Sequence, residues 1–380
     1  MITPTINEIA SHIRHGDISL SVRRMLDLFL DTGDPVLIKE AIQWSKAYRQ
    51  QQKISADPSP EFYKTAESLL EKAAKWEGIQ SRGPELLATA EHISKQYRRS
   101  HFKLKPISLQ INTGDILGVV GENGNGKTTL LRCLAGQLAL DQGEIRYRLL
   151  KSPDYYTIKS HIAFIPQRIP RWYGLLKDNL HFSAAISGIK GETNQLMVDF
   201  MLERLNLTDY AHLNWNQISS GYRTRFEIAR ILLQKPRLLI LDEPLANLDI
   251  NAQQTILTDL KYMAKSVYNP MGVLMSSQQL HEVEKVADTV LFIKRGDCIV
   301  RSKETKPEMQ SYVLEVETSA SRDSLSQILD GNEVSIQYNG GFYTITSSST
   351  NAQELVAKLV EHKIPITYFR DITYSTKRFF

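Results

Sequence analysis

The sequence predicts a mixed α/β core preceded by an all-helical segment and followed by a small α+β segment. Three observations carry this reading. Residues 116–120 form an apolar run that passes through a glycine-rich turn into a helical pattern. A strand therefore feeds a helix through a tight loop. Residues 238–241 form a second apolar run, ending in Asp242 and Glu243. Alternating strand and helix patterns across this stretch argue for a sheet with helical cover. From residue 312 onward the pattern orders itself β-α-β-β-α-β, the ferredoxin-like order.

The elements follow in chain order. Segment 1–84 is helical. Residues 21–31 place Val22, Met25, Leu26, Phe29 and Leu30 on one face and stop at Gly33. Asp34 then Pro35 reads as an N-cap with proline at the first helical position. The helix behind it is expected to bury Val36, Leu37, Ile38, Ala41, Ile42 and Trp44. Residues 55–60 are a Pro/Ser-rich break, and 61–76 give a third helix with Phe62, Ala66, Leu69, Leu70 and Ala73 on one side. No metal-ligand or nucleophile constellation occurs here, so packing or partner binding is the expected role. Residues 78–84 are loop-like and set the first domain boundary. Segment 86–303 holds the chemistry. Segment 304–380 continues with strand 312–317, helix 322–329, strands 333–338 and 342–346 around Asn339-Gly340-Gly341, helix 351–362 and strand 364–369. The Asn-Gly-Gly turn is a good hairpin signal. Many small domains share this order, so it implies no function alone.

Composition narrows the class. The chain has 380 residues, enough for two or three domains, and a net charge of +4. So small an imbalance, without a Lys/Arg run, gives no case for direct nucleic-acid binding. The two cysteines, Cys133 and Cys298, lie far apart in apolar patterns, which suits a reduced, cytoplasmic setting. No basic-then-apolar leader opens the chain. No stretch reaches the ~20 apolar residues a membrane span needs. Any membrane part must come from another chain.

Residues 121–128 read G-E-N-G-N-G-K-T, which fits a phosphate-binding loop. Gly121, Gly124 and Gly126 let the backbone coil and turn its N–H groups onto phosphate oxygens. Lys127 adds a charge within reach of the β- and γ-phosphates, and the Thr128 hydroxyl suits Mg²⁺. The following helix, to Ala135 with Gly136 as its stop, puts its positive end under the phosphates. Kinases, GTPases, motors and transport ATPases all share such a loop. Asp242 is placed to hold Mg²⁺ through water and Glu243 to polarise an attacking water. Upstream, Ile218-Ser219-Ser220-Gly221-Tyr222 opens a helix over 223–233 and forms a second anion nest. One nucleotide site has no use for it. A neighbouring subunit's γ-phosphate does.

The order of loop, Ser219-Ser220-Gly221-Tyr222 and acidic strand resembles the ATP-binding cassette (ABC) ATPase family over residues 86–303. The resemblance implies a P-loop core with a helical subdomain at about 168–215, binding ATP and Mg²⁺. Nucleotide contacts carry over to Gly121, Glu122, Asn123, Gly124, Asn125, Gly126, Lys127, Thr128 and Thr129. Tyr97 matches the aromatic that stacks on adenine. Gln167 matches the glutamine reaching Mg²⁺ and the attacking water, so Thr128, Gln167 and Asp242 are the implied metal contacts. Ser219 and Gly221 match the signature that meets the γ-phosphate in trans, while Ile218, Ser220 and Tyr222 stand in place of its usual Leu, first Gly and Gln. Leu248-Asp249 matches the loop linking two sites across a dimer. Gln278 stands where the family carries a histidine. Glutamine donates a hydrogen bond but carries no proton or charge, so slowed hydrolysis is expected. Catalytic roles thus fall to Glu243, Gln167, Gln278 and Lys127.

The implied assembly is a homodimer, or a pair with a paralogous ABC ATPase, driving separate transmembrane subunits on the inner face of the cell membrane. The C-terminal tail resembles those of export ATPases, so an exporter is the expected transporter. The alternative is a soluble, non-transport ABC ATPase with a regulatory or partner-recruiting role.

Overall fold

Among the described residues four helices precede the first strand: α1 Thr3–Arg14, α2 Ile18–Thr32, α3 Pro35–Gln52 and α4 Pro60–Ala74. The computed structural model describes residues 3–55, 57–76, 83–97, 102–148, 154–246, 248–266, 269–302, 311–329 and 334–373. Local chemistry sets the helix ends. The Asp17 carboxylate accepts from the Leu20 amide, and Gly33 closes α2 in the left-handed region at φ 66°, where only glycine sits without strain. Asp34 accepts from the amides of Val36 and Leu37, with Pro35 in the first turn. Ser59 accepts from Phe62 at the start of α4. Helix α1 is an addition to the sequence reading, although Ile6, Ile9, Ala10 and Ile13 pack inward at helical spacing. Val36, expected inside, is 65% exposed because it falls on the outer side of the first turn of α3.

The chain continues through β1 Leu86–Gln96, β2 Lys103–Asn112, β3 Ile116–Val120, α5 Lys127–Leu134, β4 Gln142–Tyr147, α6 Tyr155–His161, β5 Ile162–Ile165, α7 Leu176–Ile186, α8 Gly191–Arg204, α9 Ser220–Leu232, β6 Leu238–Leu241, α10 Ile250–Ala264, β7 Gly272–Ser277, α11 Leu280–Val286, β8 Thr289–Lys294 and β9 Asp297–Ser302. Six strands make one sheet in the order β5-β6-β7-β3-β8-β9. All neighbours are parallel except the last pair. Parallel strands buried on both faces read as unbroken apolar runs, and side-chain alternation sorts each strand between two cores. Leu117, Val119, Leu238, Ile240, Leu274, Leu291 and Ile293 point to one, which they share with β1, β2 and α5. Ile116, Val120, Leu239, Leu241, Val273 and Met275 point to the other, shared with α7 to α10. That second core runs on without a break into α1 to α4. A separate antiparallel sheet, β2-β1-β4, covers the first core.

The remaining elements are β10 Tyr312–Thr318, α12 Arg322–Ile328, β11 Val334–Asn339, β12 Phe342–Ser347, α13 Ala352–Glu361 and β13 Ile366–Asp371. They form a four-stranded antiparallel sheet ordered β11-β12-β10-β13. Its own core is built on Leu314, Val316, Leu325, Ile345, Leu355 and Leu359. The expected boundary loop at 78–84 lies mostly outside the described residues, the boundary at 303–304 and the chain end wholly outside.

The N-terminal helices meet the rest of the chain through charge as well as apolar surface. Arg204, at the end of α8, is 2% exposed. Its Nε and Nη2 donate to the two Asp27 oxygens of α2 at 2.8 and 3.1 Å. Its Nη1 lies 2.8 Å from Asp259 of α10. Arg23 donates to the same Asp259 oxygen at 2.6 Å. Arg49 of α3 pairs with Glu203, which also accepts from Ser45 at 3.1 Å.

Candidate functional site

Parallel strands β6, β7 and β3 lie side by side, so their carboxyl ends open onto one crevice, where α/β sheets place ligands. The glycine-rich loop leaves β3 there. Two of its glycines are required by contact. A Cβ on Gly121 would stand 2.2 Å from the carbonyl oxygen of Ile293, and one on Gly126, at φ 108°, 2.4 Å from the Phe102 ring. The loop is therefore pressed against β8 and the segment before β2, with its free side outward. Asn125 fastens its tip by accepting the Arg295 amide at 2.9 Å. Glu122, Asn123 and Gly124 are exposed.

Lys127 opens α5 and is 4% exposed. Its Nζ donates to the carbonyls of Gly121 at 2.7 Å and Glu122 at 3.2 Å, and lies 3.2 Å from Glu243 Oε1. The next residue, Thr128, donates its hydroxyl to Asp242 Oδ2 at 2.8 Å. Glu243 is the most densely engaged side chain of the group. Its Oε2 accepts from Gln167 Nε2 at 3.1 Å and from Gln278 Nε2 at 2.8 Å. Its backbone sits at φ 50°, a conformation that costs a non-glycine residue on the order of 1–3 kcal/mol and recurs at functional sites. Gln167 follows β5 and Gln278 follows β7. Residues far apart in sequence thus converge on one carboxylate.

The structure adds Ser276, to which the sequence reading gave no role. It is fully buried. Its hydroxyl donates to Asp242 Oδ1 at 2.8 Å and accepts the Glu243 amide at 2.9 Å. One hydroxyl therefore fixes both acids. The signal was a pair of serines, Ser276-Ser277, at the end of an apolar strand, and the partners of Ser276 appear only when β7 is paired beside β6.

Tyr97 directly follows β1; it is 39% exposed, with its hydroxyl 3.3 Å from Thr129 Oγ1. A flat, accessible ring beside the loop suits base stacking. Ser219, Ser220 and Gly221 lie elsewhere, at the start of α9. On its Cβ side Gly221 faces Leu248, Ser219 and Ala252, and Asp249 caps α10 by accepting from Ala252 at 2.9 Å. Signature and linking loop are thus neighbours within one chain, on different elements from Lys127. Tyr222 belongs to packing. It lies 3.8 Å, centroid to centroid, from Tyr210, and burial pushes its phenol up to about 12.

The residues present suit Mg²⁺ and a phosphate chain. Among the described residues no three His, Cys, Asp or Glu side chains cluster as a metal cage. A single carboxylate beside a hydroxyl is what Mg²⁺ uses when substrate phosphates and water complete its shell. Asp242 and Thr128 supply that pair. The loop at the start of α5, with its free side outward, supplies the anion site.

Comparison with known proteins agrees with this geometry. The family model described as ABC transporter matches residues 104–246. An uncharacterised ABC transporter ATP-binding protein of Bacillus subtilis, YxlF, is 32% identical over 247 residues, covering 64% of this chain and 79% of the relative. The phosphonates import ATP-binding protein PhnC 2 of Oceanobacillus iheyensis is 27% identical over 230 residues, 56% of this chain and 89% of the relative. Among solved structures, CbiO1 of Clostridium perfringens, part of the ABC transporter complex CbiONQ, superposes with a TM-score of 0.51 at 25% identity, covering 57% of this chain and 88% of that one. The arrangement around Glu243 and the extent of these matches lead to one conclusion: the chain belongs to the ABC ATPase family, the ATP-hydrolysing subunits of ABC transporters.

Proposed function

We propose that this chain is one half of a two-site ATP clamp that drives separate membrane-spanning subunits. The observation that carries the reading is the convergence of Lys127, Gln167 and Gln278 on Glu243, beside the Thr128–Asp242 pair. Lys127 exchanges its carbonyl contacts for β- and γ-phosphate oxygens. Thr128 and Asp242, with Gln167 nearby, hold Mg²⁺, which when bound neutralises charge on the phosphoryl group. Glu243 accepts the proton of the attacking water while Gln167 and Gln278 orient its carboxylate. Tyr97 stacks on the adenine.

The signature residues Ser219, Ser220 and Gly221 serve the partner's nucleotide. Their place beside Leu248 and Asp249, on other elements than the loop, supports a head-to-tail pair of this chain with itself or a paralogue. The assembly sits on the inner face of the cell membrane. Among the described residues no helix is long and apolar enough to cross it. Residues 86–303 form the ATPase domain, 1–84 a helical domain and 304–380 a ferredoxin-like domain. The antiparallel order β11-β12-β10-β13 supports the last. The expectation of an exporter finds no support. PhnC 2 is named for import, and we propose transport without a direction.

Lys127→Ala tests the site. ATP affinity is expected to fall at least about 100-fold and turnover to vanish, because a buried charge that contacts two phosphates is lost. Unchanged nucleotide binding in a titration would refute the assignment. Gln278→His tests the departure from the family pattern. Turnover is expected to rise, or at least not to fall, because imidazole can carry the charge that an amide lacks. A sharp loss of turnover would refute the proposed brake.

A further inference from the structure

A cavity of about 740 Å³ opens where α2, α8 and α10 meet, remote from the phosphate loop and lined in part by Leu28, Ile38, Leu196, Met197 and Phe200. Its size falls within the roughly 300–1,000 Å³ of small-molecule sites. The walls are mostly apolar, so polar groups among them decide the ligand. Nearly every charge here is already matched. Arg24 pairs with Glu8 and Asp27 at 3.3 Å each. Arg204 pairs with Asp27 and Asp259. At the edge, Arg237 pairs with Glu85 at 2.6 Å and Lys265 with Asp288 at 2.7 Å.

Asp31, at the wall, and the exposed Lys235 and Lys261, at the opening, are the exceptions. Among the described residues no cation lies within ion-pair distance of Asp31, and the Arg24 charge acts on it only from farther off. Its carboxylate accepts from the Ser266 hydroxyl at 2.9 Å and from the Asn269 amide at 3.5 Å. Burial, with repulsion from Asp27, pushes its pKa up to about 7. A carboxyl short of a cation, at the wall of an apolar cavity, is a receptor for an ammonium group. The exposed Lys235 and Lys261 also line the opening. They disfavour a ligand carrying several positive charges.

We propose that this cavity binds an apolar monoamine, its ammonium paired with Asp31 and its hydrocarbon body against Leu196, Met197 and Phe200. The site is independent of the nucleotide-site reading. It lies at the junction of the N-terminal helices with the ATPase helices, and an occupant would reinforce that junction.

Calorimetric titration of the full-length protein with phenylbutylamine, phenylbutanol and phenylbutanoate tests it. The amine is expected to bind more tightly than the isosteric alcohol or acid. Its affinity should rise about tenfold from about pH 6 to about pH 8, because Asp31 is mostly neutral at the lower value and mostly ionised at the higher, while the amine stays charged. Asp31→Asn should bind amine and alcohol alike and lose the pH dependence. Equal binding of alcohol and amine by the native protein, a flat pH profile, preference for the acid, or no heat at millimolar amine would each overturn the proposal. These native-protein outcomes do not depend on how well Asp31→Asn folds.

Discussion

Glu243→Gln is expected to lower ATP turnover by at least about 10²-fold while ATP still binds, leaving a stable ATP-bound dimer. Removing a positioned general base costs typically 10²–10⁴ in rate. The structure adds a second effect. Oε2 of Glu243 accepts from two amide groups, at 3.1 and 2.8 Å. Oε1 faces the Lys127 ammonium at 3.2 Å. A glutamine presents one acceptor and one donor group. Either orientation sets donor against donor, toward the two glutamines or toward Lys127. The side chain must turn away or displace Gln167 and Gln278, so the variant loses the base and the order around it together. Lys127 keeps its carbonyl partners and remains free for phosphate. The measurement is steady-state turnover alongside nucleotide binding and size-exclusion chromatography in ATP. Turnover within a factor of two of the native rate would remove Glu243 from the role of base.

The contrast between Lys127 and Ser276 explains how much of the site was legible in the sequence. Lys127, Thr128 and the loop glycines act through their own backbone and immediate neighbours, so eight consecutive residues carry the pattern. Asp242 and Glu243 end an unbroken apolar strand, which again is local. Ser276 acts on groups some thirty residues away, and only the register that pairs Leu241 with Met275 brings its hydroxyl under both acids. The helices divide in the same way. Caps at Asp34 and Gly33 were legible because they bond within three residues. Val36 was misjudged because hydrophobicity does not say which side of a first turn faces the core. The ordered tail was legible because period-two strands and an Asn-Gly-Gly turn repeat over short windows. Charges give the least signal. Asp27, Arg204 and Asp259 look like any solvated residues on their helices, and nothing local marks them as partners.

Arg204→Ala is expected to cost about 3–5 kcal/mol of stability, the range for breaking a buried charge pair by removing one partner. The side chain is 2% exposed and ties Asp27 of α2 to Asp259 of α10. Burial alone would lower its pKa, but the carboxylates of Asp259 and Asp27 hold it above the usual arginine value. Without it, among the described residues Asp27 keeps the 3.3 Å contact with Arg24. Asp259 keeps Arg23 at 2.6 Å. Two carboxylates then face one another across a space sized for a guanidinium, so repulsion adds to the lost packing. The loss should concentrate where the N-terminal helices meet the ATPase helices, because Arg204 bonds both sides at once. Denaturant unfolding measures the total, and hydrogen exchange over α2 locates it. Arg204→Met combined with Asp27→Asn fills the space and removes one stranded charge, so at least about 1 kcal/mol should return as the coupling between contacting sites. A loss below about 1 kcal/mol for Arg204→Ala would mean that the apolar core shared by α2, α8 and α10 holds the helices in place without the charges.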